Sequence, residues 1–169
     1  MKNSPLILAL DSTNIDEIDR LILDTQEYVG VFKLGLEFFT AYGVNGVSTI
    51  VDRYQGIDIF LDLKLHDIPN TVSKAAKNLT DLNPLFLTVH ASGGAKMISA
   101  AANELPDTHI TAVTVLTSLE NMELQSIGHV LSSTEIAVNL ARIAEAAGAR
   151  AIVSSPLEVS EIRKVVNPD

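Results

Sequence analysis

The residue types best suited to chemistry in this 169-residue chain lie in one apolar segment, where Asp62 and Lys64 interrupt a run of aliphatic residues. Side chains alternate between the two faces of a strand, so this spacing predicts that the carboxylate and the ammonium share one face. Removing such ions from water is costly unless each has a partner. An acid beside a base can donate a proton and stabilise charge that develops on a substrate. A structural ion pair that fixes strand register would give the same pattern.

Three further ionisable residues favour a functional site over an isolated structural pair. Lys33 interrupts a second apolar run, Asp11 ends a third, and Asp67 follows shortly after Lys64. All of them fall at or beyond the carboxyl ends of predicted strands, the edge at which barrel enzymes build their active sites. From Lys33 through Asp62 and Lys64 to Asp67 the charges alternate in sign. We therefore expect each ion to have a partner and the set to stay charged near neutral pH.

The elements that must position these residues follow a regular alternation of short apolar runs with longer segments of helical spacing. The predicted strands are Leu6–Leu10, Val31–Leu34, Ile57–Leu63, Leu85–His90, Ile110–Leu116 and Ala149–Val153. The predicted helices are Ile15–Tyr28, Glu37–Arg53, Asn70–Leu82, Ala95–Leu105, Thr134–Ala147 and Leu157–Val166. Asn14 and Ser133 are predicted N-caps and Gly148 a predicted C-cap, and a further short helix is expected within 118–131.

The apolar character of the strand segments indicates the fold class. Continuous apolar runs suit strands that are buried on both faces, as parallel strands joined by crossover helices are. The sequence therefore predicts an α/β protein, either an open doubly wound sheet or a (β/α)8 TIM barrel. The first strand-to-helix turn, Leu10-Asp11-Ser12-Thr13, has no glycine that would let the backbone approach a pyrophosphate. This excludes a dinucleotide-binding fold.

The length of the chain suits part of a barrel better than a whole one. Six strand–helix units at roughly 27 residues each fill the chain, whereas eight units would need roughly 220 residues. We interpret residues 1–169 as a single barrel domain that lacks its last two strand–helix units, with a seventh strand expected to begin near Asn167-Pro168-Asp169. An open sheet of six buried-type strands would leave two edges unpaired, which natural proteins avoid.

The composition narrows the possible functions. Twelve Lys and Arg stand against 21 Asp and Glu, a net charge of −9, which disfavours nucleic acid and anionic membranes as partners. The absence of cysteine excludes disulfides, thiolate metal sites and a cysteine nucleophile, and is typical of a protein of the reducing cytoplasm. No apolar run is long enough to span a membrane.

The ten residues from Asp62 to Thr71, Asp-Leu-Lys-Leu-His-Asp-Ile-Pro-Asn-Thr, closely resemble the signature of the orotidine 5′-phosphate decarboxylase family. The resemblance extends to 8–11, 32–35, 89–94 and 113–117 and so covers essentially the whole chain. It implies a homodimeric (β/α)8 barrel, a carbon–carbon lyase that converts orotidine 5′-phosphate to UMP in de novo pyrimidine biosynthesis. It also implies that the reaction needs no metal and no organic cofactor.

The resemblance assigns the catalytic charges to Lys33, Asp62, Lys64 and Asp67, all of which are expected to contact the substrate. Loss of CO2 leaves a carbanion at C6 of the pyrimidine, which needs a proton and a stabilising charge. Lys64 is the expected proton donor. Asp62 would lie beside the carboxylate that departs, and Lys33 and Asp67 would keep Asp62 ionised and Lys64 oriented.

The resemblance also implies the residues that bind the rest of the substrate. Asp11 and Lys33 are expected to hold the ribose hydroxyls, and Thr117 is expected to contact the pyrimidine. The positions that match Asp67 and Thr71 reach into the active site of the neighbouring subunit in this family, so two chains would share each site. The family binds the phosphate after the seventh and eighth strands. We therefore expect residues 1–169 alone to bind the nucleotide weakly, turn it over poorly and associate through open strand edges.

Two alternatives remain at this point. Sugar-phosphate enzymes of the same superfamily, such as 3-keto-gulonate-phosphate decarboxylase and hexulose-phosphate synthase, share an Asp-x-Lys-x-x-Asp segment but use Mg2+. In those enzymes the second strand carries a glutamate that helps to hold the metal, whereas this chain has Lys33, and an ammonium cannot ligate a metal ion. The other alternative is a catalytically inactive barrel fragment or binding scaffold.

Overall fold

The computed structural model describes residues 4–167. Its strands are β1 (Ile7–Ala9), β2 (Val31–Gly35), β3 (Asp58–Leu65), β4 (Phe86–His90), β5 (His109–Val113) and β6 (Ala151–Val153). Its α-helices are α1 (Ile15–Thr25), α2 (Leu36–Arg53), α3 (Pro69–Lys77), α4 (Ala95–Glu104), α5 (Asn121–Ser126), α6 (Ser133–Ala146) and α7 (Val159–Arg163). Two short 3₁₀ helices, Thr80–Leu82 and Ala91–Gly93, complete the regular structure of the described residues.

The six strands form one parallel sheet in which spatial order equals chain order, from β1 to β6. A doubly wound sheet reverses its strand order at a switch point, whereas a barrel winds in one direction. The observed order therefore selects the singly wound arrangement from the two that the sequence left open. Within the described residues, β1 and β6 each pair with one neighbour only.

The core lies between the sheet and the helices that connect its strands. Phe32, Leu34, Leu61 and Leu87 on the central strands are almost completely buried. The helices add the apolar sides that the helical spacing predicted, among them Ile18 on α1. Burial on both faces explains why these strand segments are nearly continuous apolar runs, and why each ion within them needs a specific partner.

Most predicted elements are present, but several boundaries are wrong. Helix α2 contains a break at Gly43, whose φ of 60° and ψ of −160° lie outside the helical region, so the predicted single helix consists of two. Helix α3 ends at Lys77 rather than at Leu82, with a 3₁₀ turn after it. Strand β5 ends at Val113 rather than at Leu116, and α7 is shorter than predicted at both ends.

The predicted helix caps are partly confirmed. The Asn14 side chain accepts hydrogen bonds from the backbone N–H groups of Asp16 and Glu17, as an N-cap does. The cap of α6 is Ser132 rather than Ser133, because Ser132 forms a reciprocal capping box with Glu135.

The expected start of a seventh strand at Pro168 and Asp169 lies outside the described residues. Among residues 4–167, no helix is both long enough and apolar enough to cross a membrane.

Candidate active site

Four predicted site residues come together toward the carboxyl ends of the strands. They are Lys33 on β2, Asp62 and Lys64 on β3, and Asp11, which follows Leu10. The Lys33 ammonium lies 3.2 Å from Oδ2 of Asp62 and 3.6 Å from Oδ1 of Asp11. The Lys64 ammonium lies 2.8 Å from the other carboxylate oxygen of Asp62. We call Asp11, Lys33, Asp62 and Lys64 the charge cluster. Its centre is Asp62, whose two oxygens each meet a different ammonium.

Burial and charge act in opposite directions on Asp62, whose side chain is only 13% exposed. Burial alone would raise the pKa of this carboxyl. The hydrogen bond and charge of Lys64, a hydrogen bond from Thr88 and the charge of Lys33 outweigh that effect and hold the pKa of Asp62 below its ordinary value. Asp62 is therefore a carboxylate at neutral pH, fixed in place and partly shielded from water.

The backbone at Lys64 differs from the regular strand that the sequence predicted. Its φ is 48°, which is uncommon for a residue with a side chain, and the register between β3 and β4 shifts between Leu61 and Leu65. The Lys64 N–H donates to the Thr88 hydroxyl at 2.8 Å instead of to a strand carbonyl. The prediction that Asp62 and Lys64 meet is confirmed, but a local irregularity accompanies their meeting, and simple alternation does not describe it.

Thr88 is a member of the site that the sequence analysis missed. It lies on β4, is completely buried, and its hydroxyl donates to Oδ1 of Asp62 at 3.0 Å. The only sequence signal was a single hydroxyl within the apolar run of β4. That signal is weak, because threonine is common in strands for its branched side chain alone.

Two histidines follow the cluster at the ends of neighbouring strands. The rings of His66 and His90 lie 5.2 Å apart, centre to centre. Burial, together with the nearby His66 and Lys64, lowers the pKa of His90, and the charge of Asp62 opposes this only in part. His90 therefore adds a neutral ring to the rim of the site near pH 7.

Asp67 and Thr71, both predicted site residues, are exposed. The Asp67 carboxylate accepts a hydrogen bond from the N–H of Ile68 at 2.7 Å, and residues 4–167 contain no ion pair to it. Within the described residues, no basic side chain therefore neutralises the Asp67 carboxylate. Asp67 lies in the short connection between the end of β3 at Leu65 and the start of α3 at Pro69.

Thr117, the remaining predicted residue, is exposed in the loop after β5. It lines a small cavity of about 160 Å³ together with Ser155 and Glu158. Within the described part of the chain, no hydrogen bond connects it to the charge cluster.

The donor set gives little support for a metal site. In the part of the chain that the structure describes, no group of three or more His, Asp or Glu side chains is arranged to hold a metal ion. The Asp62 carboxylate, which could otherwise be a ligand, is engaged by two lysines. The two adjacent ammonium charges would repel a metal cation from this carboxylate.

Comparison with known proteins places this chain in a family. Residues 4–169 match the model of the "Orotidine 5'-phosphate decarboxylase / HUMPS family". A protein from Sphingopyxis alaskensis named orotidine 5′-phosphate decarboxylase is 47% identical over 162 residues, which are 95% of this chain and 71% of the relative. One of the same name from Thermobifida fusca is 42% identical over 169 residues, covering 98% of this chain and 71% of the relative.

A solved structure agrees with the sequence comparisons. The crystal structure of orotidine 5′-phosphate decarboxylase from Lactobacillus acidophilus superposes with a TM-score of 0.88 at 35% identity, covering 99% of this chain and 78% of that one. The six strand–helix units are thus part of a (β/α)8 barrel, as the sequence predicted. The chain belongs to the orotidine 5′-phosphate decarboxylase / HUMPS family.

Proposed function

We propose that the protein converts orotidine 5′-phosphate to UMP and CO2, with Lys64 as the proton donor. The observation that carries this proposal is the Asp62 carboxylate held between the Lys33 and Lys64 ammonium groups at the carboxyl ends of the strands. This is an arrangement that can stabilise charge and deliver a proton at one point. The names of the relatives supply the substrate.

The chemistry requires one bond to break and one to form at the same carbon. The bond from C6 of the pyrimidine to the carboxylate breaks, its electron pair stays on C6, and neutral CO2 leaves. The Lys64 ammonium stabilises the developing negative charge and transfers a proton to C6, which gives UMP. The neutral lysine then recovers a proton from water.

Asp62 contributes by its charge. Held ionised by its partners, it would lie beside the substrate carboxylate, and the repulsion between these two groups would be relieved as CO2 departs. Lys33 limits the cost of keeping Asp62 charged, since its ammonium is 3.2 Å from the carboxylate. Lys33 and Asp11 lie beside each other at the edge of the cluster, where both would hold ribose hydroxyls.

We assign Asp67 and Thr71 to the active site of a second subunit in a homodimer. Both residues are exposed, and Ile68 between them has 65% of its surface exposed, although it is a large apolar residue. Contact with a second chain would bury Ile68 and give the Asp67 carboxylate the cationic partner that it lacks within residues 4–167. The partners of the enzyme would then be its small-molecule substrate and a second copy of the chain. Thr117 would contact the pyrimidine of the substrate. We expect the enzyme to act in the cytoplasm.

The proposal involves no cofactor. A Mg2+-dependent sugar-phosphate enzyme would need oxygen ligands around the metal, and here Lys33 occupies the position of one of them. We therefore prefer orotidine 5′-phosphate to a sugar phosphate as the substrate, within a family whose description covers both types.

The test is an assay on the full reading frame that encodes this sequence. Purified protein is treated with EDTA, and conversion of orotidine 5′-phosphate to UMP is followed by ultraviolet absorbance, with sugar phosphates and Mg2+ tested in parallel. We expect UMP formation at the same rate before and after EDTA. Turnover of a sugar phosphate that depends on Mg2+, without turnover of orotidine 5′-phosphate, would overturn the proposal.

A further inference from the structure

We propose that Thr88 is a positioning residue for the reaction, because its hydroxyl locks the Asp62 carboxylate to the backbone of Lys64. The inference rests on the proposed function for its catalytic consequence. The hydroxyl lies between two of the residues that would do the chemistry, 2.8 Å from the Lys64 nitrogen and 3.0 Å from Oδ1 of Asp62. Neither the family assignment nor the sequence analysis gives Thr88 a role.

The direction of both hydrogen bonds is fixed by the groups involved. A backbone N–H can only donate, and an ionised carboxylate can only accept. The Thr88 oxygen must therefore accept from Lys64 and use its single proton for Asp62. The three groups form a chain from the Lys64 N–H through the Thr88 hydroxyl to the carboxylate. Hydrogen bonds in such a chain polarise and strengthen one another.

The chain of hydrogen bonds supports an unusual backbone conformation. Lys64 has a positive φ of 48°, and the register with β4 is interrupted there. Its N–H has left the regular ladder and would need another partner, because a buried donor without one is costly. Thr88 supplies that partner, and the Lys64 ammonium contacts the same oxygen of Asp62 that the Thr88 hydroxyl binds. The hydroxyl thus holds both the Lys64 backbone and the Asp62 carboxylate in place.

Packing alone does not account for a threonine at this position. Thr88 is completely buried within an apolar strand. Valine has nearly the same shape and would fill the same space without burying a hydroxyl, which is costly unless it is hydrogen-bonded. What threonine adds over valine is the pair of hydrogen bonds to the site.

The experiment compares variants that differ in this hydroxyl. In the full reading frame, Thr88→Val removes the hydroxyl at constant shape, and Thr88→Ser keeps it. Thr108→Val is the matched control, because Thr108 is equally buried and its hydroxyl donates to the Pro84 carbonyl, away from the charge cluster. We expect Thr88→Val to lower kcat about 10- to 100-fold, the effect of losing a hydrogen bond to a charged group.

The other variants and the pH profile distinguish a positioning role of Thr88 from a purely structural one. We expect Thr88→Ser to keep most of the wild-type kcat, Thr108→Val to leave kcat unchanged, and KM to change less than kcat in Thr88→Val. The acidic limb of the kcat profile should also move to higher pH in Thr88→Val, because Asp62 loses a hydrogen bond to its charged form. Equal kcat values for Thr88→Val, Thr108→Val and wild type would overturn the inference.

Two further measurements keep the test independent of folding and of the proposed function. If Thr88→Val does not fold, Thr88→Ser and Thr88→Ala form a pair that differs by one hydroxyl. The titration of the Asp62 carboxyl, followed by carbon NMR, requires no turnover. A higher Asp62 pKa in Thr88→Ala than in Thr88→Ser supports the lock even if orotidine 5′-phosphate is not the substrate. Identical pKa values in the two variants would contradict it.

Discussion

The charge cluster and the segment 67–71, which follows Lys64 closely in the sequence, are in opposite physical situations. Asp62 is mostly buried and has three partners in the same chain: Lys64 on its own strand, and Lys33 and Thr88 on the two neighbouring strands. Asp67 is exposed, and within residues 4–167 its only hydrogen-bond donor is the next residue. The Asp62 carboxylate is thus paired with cations of its own chain, whereas the Asp67 carboxylate has no ion pair within residues 4–167.

The difference between Asp62 and Asp67 shows which charged side chains find partners within a single chain. Strand register places Lys33 diagonally across from Asp62, because Lys33 pairs with Phe60 and Asp62 lies two residues further along on the same face of β3. Nothing comparable holds segment 67–71, which leaves the sheet and begins α3 at the surface. In the homodimer that we propose, partners for that segment would come from the substrate or from the second copy of the chain.

The largest expected effect concerns the centre of the charge cluster. We predict that Lys64→Ala in the full reading frame lowers kcat/KM by about 10⁴-fold or more, because loss of a general acid costs about 10²–10⁴-fold and loss of the stabilising charge adds to it. The measurement is steady-state decarboxylation, with circular dichroism to show that the fold persists. A folded variant whose activity stays within about tenfold of wild type would reject the assigned role.

The next prediction concerns segment 67–71 and uses mixed dimers. We expect Asp67→Asn and Lys64→Ala each to be nearly inactive alone. If two chains share each site, a mixed dimer contains one site with both residues intact. Unfolding and refolding an equal mixture should then restore about one quarter of the wild-type activity. No recovery from mixtures that form dimers would show that Asp67 acts within its own chain.

A smaller, physical effect is expected for residues 1–169 expressed alone. β1 and β6 have open edges within the described residues, Ile7 and Val153 are partly exposed, and a cavity of about 590 Å³ lined by Ile152 and Ile162 lies beside β6. We predict that this polypeptide associates through these surfaces and binds UMP more weakly than the full reading frame does. Light scattering and calorimetry on the two proteins test this. A monodisperse monomer with full affinity would contradict it.

The smallest effect concerns stability against pH. Burial is the main cause of the lowered pKa of both His90 and His109, with Arg150 adding to the effect at His109. The unfolded chain therefore binds these protons first, so the free energy of unfolding should fall as pH decreases below about 6.5. Asp62 acts in the same direction but only at lower pH, because its lowered pKa confers stability that is lost as pH falls through that value.

Chemical denaturation between pH about 7 and about 5 measures this slope. A variant with both His90→Gln and His109→Gln should show a flatter profile than wild type over the same range. An unchanged slope would show that neither histidine resists protonation in the folded protein.

Much of the fold could be predicted because its signals are local. The alternation of apolar runs and helical segments predicted all six strands, and the Asn14 cap has a specific side-chain signature. The spacing also predicted the contact of Asp62 with Lys64, but not the positive φ of Lys64 or the register shift that accompany it. The break at Gly43 was missed, since a glycine inside an apolar helical segment gives no sign of which conformation it adopts.

The rest of the site depends on contacts between strands, which one sequence does not reveal. Thr88 is 24 residues from Lys64, and its role follows from a register shift that has no local signal. The exposed position of Asp67 depends on where the chain leaves the sheet after Leu65. Sequence spacing suggested one continuous array of charges, whereas the structure divides it into a buried part and an exposed part.

The most direct test of the central claim is a crystal structure of the full reading frame with UMP bound. The distance to be measured joins the Nζ atom of Lys64 to C6 of the pyrimidine. We predict a separation of about 3–3.5 Å, the range in which a proton can be transferred, with Asp62 beside the side of C6 from which CO2 would leave. A nucleotide bound away from the charge cluster, or a C6 atom more than about 6 Å from Lys64, would contradict the account.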